Sequence, residues 1–303
     1  MIRSLLSICL VAGMICCASA QSITLPPSGD NQRASVTQYI GALVHVTVDY
    51  NSPDVTGPNG QDRSGQIWGQ LVPYGLNDLG FGLRKPAPWR AGANENTTIT
   101  FSHDVEVQGE ALAAGTYGFH VIVQEEGPWT LIFSNNHTAW GSYFYDPADD
   151  ALRVKAIPQE SPHHEWLTYE FTDRQGDQAT LTLFWEKVAL PFTISVPHMT
   201  DLYVANMRKE LQNAAGFNWQ NWNQAAMFCV QKKVYLEEAL NWAETSISGP
   251  FVGQENFTTL SGKFTVLVAL EQKKEAQEVL KKAMAHPTTT ASQVHQLGRQ
   301  MIN

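Results

Sequence analysis

Cysteine is scarce in this 303-residue chain, and three of its four cysteines (Cys9, Cys16 and Cys17) fall in the first twenty residues. Beyond them stands Cys229 alone, so a chain that loses that segment has no internal disulfide and must rely on its core. Cys229 lies on an apolar helical stripe and reads as a small buried hydrophobe rather than a nucleophile. Basic runs are also missing: no stretch of Lys and Arg exceeds two residues, and the formal net charge is −9. That balance excludes a nucleic-acid partner, which calls for clustered cations. Past the N-terminal segment no apolar run reaches the ~18 residues of a membrane helix, so no span is expected after processing. The sequence holds no G-x-S-x-G elbow, no P-loop, no complete G-x-G-x-x-G, no paired His with an intervening Glu and no Cys cluster. No catalytic residue, no cofactor and no metal site is therefore assigned.

The N-terminal segment itself has the layout of a secretory signal. Arg3 supplies a positive start, Leu5 to Cys17 a short apolar run, and Ala18-Ser19-Ala20 a small-residue cleavage site before Gln21. The expectation is a leader over 1–20 and a periplasmic or secreted product. A lipid anchor on Cys16 or Cys17 is the rival, weakened by the poor lead-in Gly13-Met14-Ile15.

The rest divides near residue 200. From Gln21 to Thr200 there are 9 basic and 20 acidic residues, a net of −11; from Asp201 to Asn303 there are 10 and 9, a net of +1. The hydrophobic period changes at the same place. Val44, Val46, Val48 and Tyr50 alternate with His45, Thr47 and Asp49; Tyr117, Phe119, Val121 and Val123 form one face, as do Ala179, Leu181, Leu183 and Trp185. A period of two is that of strands packed on one side. Further strands are predicted at 35–40, 66–72, 97–101, 129–134, 151–157, 166–172 and 188–196, with 124–128 as a hairpin turn. After 200 the stripes Trp222, Ala225, Ala226, Cys229, Val230 and Phe257, Leu260, Phe264, Leu267, Val268 follow helical spacing, and Thr200 is the expected first N-cap. Ala239 precedes Pro250, and Ala276 precedes Pro287, by the same interval at an offset of 37 residues, an echo of diverged tetratricopeptide repeats; a plain helical bundle reads equally well. The fold class expected is α+β: an antiparallel β-sandwich or barrel over 21–199, then a repeat-like helical domain over 200–303.

Six motifs in order carry a resemblance. They are Leu71-Val72-Pro73-Tyr74-Gly75, the run Trp89 to Thr97, Leu112 to Tyr117, Trp129 to Phe133, Trp140-Gly141 with Tyr143 and Tyr145, and Leu152-Arg153-Val154. Over roughly Ser35 to Val196 the chain resembles the bacterial domain-of-unknown-function 2911 family. The resemblance implies an exported β-rich protein and assigns no activity. The Thr56–Gly65 and Asn77–Ala87 stretches look like insertions that would border any site beside Trp89–Glu95.

That segment supplies the candidate site. Trp89, Arg90, Asn94, Glu95 and Arg153 are the ligand-binding candidates. Arg90 offers a fork to a carboxylate, from Glu95 or from a ligand, and Asn94 suits a turn. A structural corner at Trp89–Thr97 and a surface ion pair at Arg153 are the plainer readings. Trp68, Trp89 and Trp140, near turns, leave room for stacking on a sugar, while Trp185 and Trp129 read as core or rim. Three functions compete: a non-catalytic module binding a small molecule, a glycan or a protein; a cell-envelope or polysaccharide hydrolase with Arg90, Glu95, His120 and Arg153 in one cleft; and a purely structural envelope protein.

Overall fold

A computed structural model describes residues 31–294; the expected leader and its cleavage site lie outside the described residues. The N-terminal part is built from antiparallel sheets. Strands β1 (Gln32–Ile40), β2 (Val44–Ser52), β5 (Thr98–Phe101), β8 (Gly115–Ile122), β9 (Trp129–Ser134) and β10 (Asp150–Ala156) form one sheet in the order β1-β2-β5-β8-β9-β10. Strands β11 (Gln159–Thr172), β12 (Gln178–Ser195), β6 (Val105–Val107) and β7 (Glu110–Leu112) form a second in that order, and β3 (Asn77–Asp78) pairs with β4 (Pro86–Ala87).

The two larger sheets share one apolar core. Val44, Val46 and Val48 of β2 are fully buried on the inner face, while the intervening His45, Thr47 and Asp49 stay half-exposed, as a one-sided pleat requires. Phe119 of the first sheet stacks on Phe192 of the second with ring centroids 5.6 Å apart. Truncating either to Ala removes about 3–5 kcal/mol by the usual cavity penalty. Strands β8 and β9 break the alternation: both their faces are buried over most of their length. The outer face is roofed by the loops before β5 and after β9, where Ile122 and Ile132 meet Ala87 and Tyr145. This roof positions the site.

Two sequence expectations fail here. Residues 66–72 are not a strand; Gly65 and Gly69 adopt positive φ (71° and 84°), and Val72 donates back to Ile67 in a tight loop. The strands expected at 178–185 and 188–196 are one continuous β12, with Glu186 at φ 51° marking an irregularity in its pairing with β11. Strands β6 and β7, three residues each, carry too short an alternation to have been foreseen.

A helical region follows: α1 (Met199–Glu210), α2 (Trp219–Lys232), α3 (Leu236–Ser248), α4 (Phe257–Ala269) and α5 (Lys273–Ala285). Thr200 is not the first N-cap. His198 takes that place in a left-handed conformation (φ 59°) without a side-chain cap, its carbonyl accepting from Asp201 and Leu202. Asn218 caps α2, and Asn256 forms a capping box with Thr259 at α4. The predicted stripe of α2 is buried at Ala225, Ala226 and Cys229, against Ala239, Trp242 and Ala243 of α3. Burial pushes the Cys229 thiol up to about 11, which suits a packing role and not a nucleophile. The helices meet the sheets through the first turn of α1. Met199 and Leu202 pack on the β core, and the Ala42 amide donates to the Tyr203 hydroxyl at 2.8 Å. Among the described residues no helix is long and apolar enough to cross a membrane.

Candidate functional site

The site is made by the chain's departure from, and return to, the first sheet. Trp89 exchanges both backbone hydrogen bonds with Val121 of β8 (3.0 and 2.8 Å), and Phe119 donates to Thr97 at 2.7 Å. Between these anchors residues 90–96 bulge outward. Ala91 and Asn94 both take positive φ (52° and 55°), which Asn tolerates and Ala resists. The Ala91 strain is held by two buried donors to its carbonyl, the Thr97 hydroxyl at 3.0 Å and the Tyr169 hydroxyl at 2.7 Å. Asn51 of β2 completes the anchoring: its carbonyl accepts from Ala93, and its amide donates to Glu95 Oε2 at 2.9 Å.

Arg90 is half-buried beneath the second loop. Its guanidinium donates to the Asn94 carbonyl at 2.6 Å and lies 5.4 and 5.2 Å from the rings of Trp140 and Tyr143. These two rings stack on one another at 5.8 Å. Gly141 has no Cβ because none fits: it takes φ 62°, and a side-chain carbon there would sit on the Arg90 guanidinium. Below Arg90, His120 is buried on β8 with Nδ1 2.9 Å from the Ser142 hydroxyl. Burial, with the nearby Arg90 charge adding to it, depresses this imidazole to about 3.

Trp89, Arg90 and Asn94 open onto a cleft of about 470 Å³, within the range of small-molecule sites. Trp185 and Trp140 line it as well. The Trp185 ring stacks on Trp89 at 6.0 Å, with Trp68 edge-on to both. The indole N–H groups of Trp68 and Trp185 are buried without a hydrogen-bond partner among the described residues. Arg63, from the Thr56–Gly65 loop, also lines the cleft, but its charge is answered: it donates to the Asp54 carboxylate at 3.3 Å and to the carbonyls of Asp54 and Val55.

The remaining candidates go elsewhere. Glu95 is exposed and faces an adjoining hollow of about 250 Å³, lined also by Arg33, Asn51 and His137, which shares Trp140 with the cleft. It bonds Asn51, so of the two carboxylates the sequence offered to Arg90, Glu95 or a ligand's, Glu95 is held elsewhere. Arg153 lines neither hollow. On β10 it binds Asp150 at 2.6 Å and the Tyr145 hydroxyl at 2.7 Å, the surface pairing that was its plainer reading. Arg90, Glu95, His120 and Arg153 thus do not share one opening. Arg63 and Tyr143 were not foreseen; the Gly/Pro-rich loop carrying Arg63 was the available signal. A separate hollow of about 650 Å³ lies in the helical region beside Met207, Leu211, Met227 and Phe228, and holds none of the candidates.

Residues 31–194 match the profile of a family described as "Protein of unknown function (DUF2911)". The match covers more than half of the chain and ends before the first helix. No curated protein and no solved structure matches.

Proposed function

The chain belongs to the DUF2911 family, and from that premise we propose that it is a non-catalytic, exported module that binds a small ligand in the Trp89–Arg90 cleft. The observation that carries this reading is the cleft itself: three of the five candidate residues meet there, with a cation on one wall and stacked indoles beside it. Such a mixture of apolar rings and a few placed polar groups is how small-molecule sites are generally built. The hydrolase alternative loses support because its four residues point to different places, and the purely structural alternative does not explain the opening. We read the facing sheets as a sandwich, supported by the Phe119–Phe192 contact across them. The helices serve in this reading as a second contact surface, for a protein, supported by the hollow beside Met227 and Phe228.

The test is a ligand-observed magnetic resonance screen of chain 21–303 against saccharides, small carboxylates and short peptides. A hit is expected to weaken about 10- to 100-fold in Arg90→Gln, the range for losing a charged hydrogen bond, and to come back from prolonged incubation unaltered. No hit in any class, or hits indifferent to Arg90, would overturn the reading.

A further inference from the structure

We propose that the cleft and its neighbouring hollow form two subsites of a groove for an acidic oligosaccharide, with a uronate carboxylate at Arg90 and a neutral sugar unit beyond Trp140. This deepens, and rests on, the ligand-binding reading.

The first support is the state of Arg90. A guanidinium carries five N–H donors, and among the described residues the side-chain hydrogen bond of Arg90 runs to the Asn94 carbonyl, with its plane resting against Trp140 and Tyr143. Among the described residues no carboxylate lies within ion-pair distance of it, whereas Asp54 answers Arg63 in the same cleft. A half-buried cation without a counter-charge calls for an anion. Its planar fork matches a carboxylate. This stands out in a β half whose charged residues sum to −11, from 9 basic (Arg90 among them) and 20 acidic side chains between Gln21 and Thr200.

The second support is Trp140. It is 50% exposed, stacked on Tyr143, and lines both the 470 Å³ cleft and the 250 Å³ hollow. A ligand reaching from one into the other would meet this ring. An exposed indole at the crossing offers a flat apolar platform, and the ring face of a pyranose is the complementary shape among polar ligands. An isolated aromatic acid would fill the cleft and leave the hollow empty.

The third support is the contrast between the two ends. The hollow presents Glu95 and Asp49 beside Arg33 and Asn51. Acceptors and donors side by side suit hydroxyl groups, which are both, and the two carboxylates disfavour a second acid there. The order is thus acid at Arg90 and neutral unit beyond Trp140.

The experiment is calorimetric titration of chain 21–303 with glucuronate–N-acetylhexosamine tetrasaccharides, aldobiuronic acids and oligogalacturonate, each beside its carboxyl-reduced counterpart. The expected result is that at least one acid binds tenfold or more tighter than its reduced form, and that added salt narrows the gap. Arg90→Gln is expected to abolish the gap, while Trp140→Ala weakens both acid and reduced forms and Arg153→Gln changes neither. Circular dichroism confirms folding, and Arg90→Lys, which keeps the charge without the fork, gives an intermediate gap. Equal binding of acid and reduced forms, or a preference that survives in Arg90→Gln, would overturn the proposal. If every saccharide fails while a non-saccharide binds through Arg90, the proposal falls and the ligand-binding reading stands. If nothing binds, both fall.

Discussion

His120 is the residue whose chemistry is most altered by its place. Buried on β8 under Arg90 and held near 3, it is neutral in the folded chain across the ordinary pH range, while in the unfolded chain it titrates at 6.5. Between those values the unfolded state binds more protons, so stability is full above about 6.5 and falls as pH drops toward 3, by about 1.4 kcal/mol per unit. Comparing wild type with His120→Asn by denaturant unfolding at pH 7.5 and 4.5, wild type should lose about 2–3 kcal/mol more than the variant. An equal loss would show that the buried imidazole is not the source. Gly141 is the second position with a sharp expectation. Gly141→Ala adds about 1–2 kcal/mol of left-handed strain and drives a methyl into the Arg90 guanidinium. It should therefore reproduce the binding loss of Arg90→Gln in the same titration; retained affinity would mean Arg90 does not need this seat. Both effects were only half legible in the sequence. Trp89, Arg90 and Asn94 could be picked out as a group, but proximity along the chain does not say which way a side chain turns. Asn51, 44 residues away, takes Glu95, and the Asn94 carbonyl takes Arg90. Arg153 was separated from the site by its pairing with Asp150 and Tyr145, partners close in sequence that do not line the cleft.

At the scale of elements, periodicity served wherever one face is buried and one is wet. Strands β1, β2 and β5 and helices α2 to α5 were readable because their apolar residues recur at the period of the element. It failed where tertiary structure overrides that pattern. Residues 66–72 carry the apolar pairs Ile67-Trp68 and Leu71-Val72, yet Gly65 and Gly69 turn the chain before a ladder can form. The charged pair Glu186-Lys187 looks like a turn inside β12, but the Glu186 carboxylate is 2.8 Å from the Gly65 amide and is held indoors by it. A buried acid with a backbone donor costs a strand less than an unpaired one. The start of α1 was misplaced by two residues because His198 caps with its backbone in a left-handed turn, which leaves no side-chain signature. The capping box at α4 makes the opposite case. Asn256 accepts from the Thr259 amide at 3.1 Å while the Thr259 hydroxyl accepts from Asn256. Asn256→Ala should cost about 1–2 kcal/mol, seen as a lower midpoint with an unchanged denaturant slope. A loss within error would mean that the helix end is stabilised by its neighbours alone.

At the scale of the whole molecule, the break in charge and period near residue 200 coincides with a break in the core. The buried cluster of the sheets runs to Val196 and that of the helices begins at Val204. The two are joined through Met199, Leu202 and the Tyr203 hydroxyl seated over Gly41, whose missing side chain makes the room. A chain of residues 21–198 is therefore expected to fold alone, with a cooperative melt and the ligand affinity of the full chain, because the cleft is built from the sheets and their loops. A non-cooperative melt would show instead that the helices complete the β core. On the proposed reading, the acidity of the β half disfavours general anions and leaves the selectivity to Arg90. The most direct measurement of the central claim is the indole N–H spectrum of the full chain, assigned by single Trp→Phe variants and followed while an acidic oligosaccharide is added. The account predicts that the Trp140, Trp89 and Trp185 signals move together and saturate with one affinity, while those of Trp219, Trp222 and Trp242 in the helices stay still. Unmoved cleft signals, or shifts confined to the helical tryptophans, would contradict it.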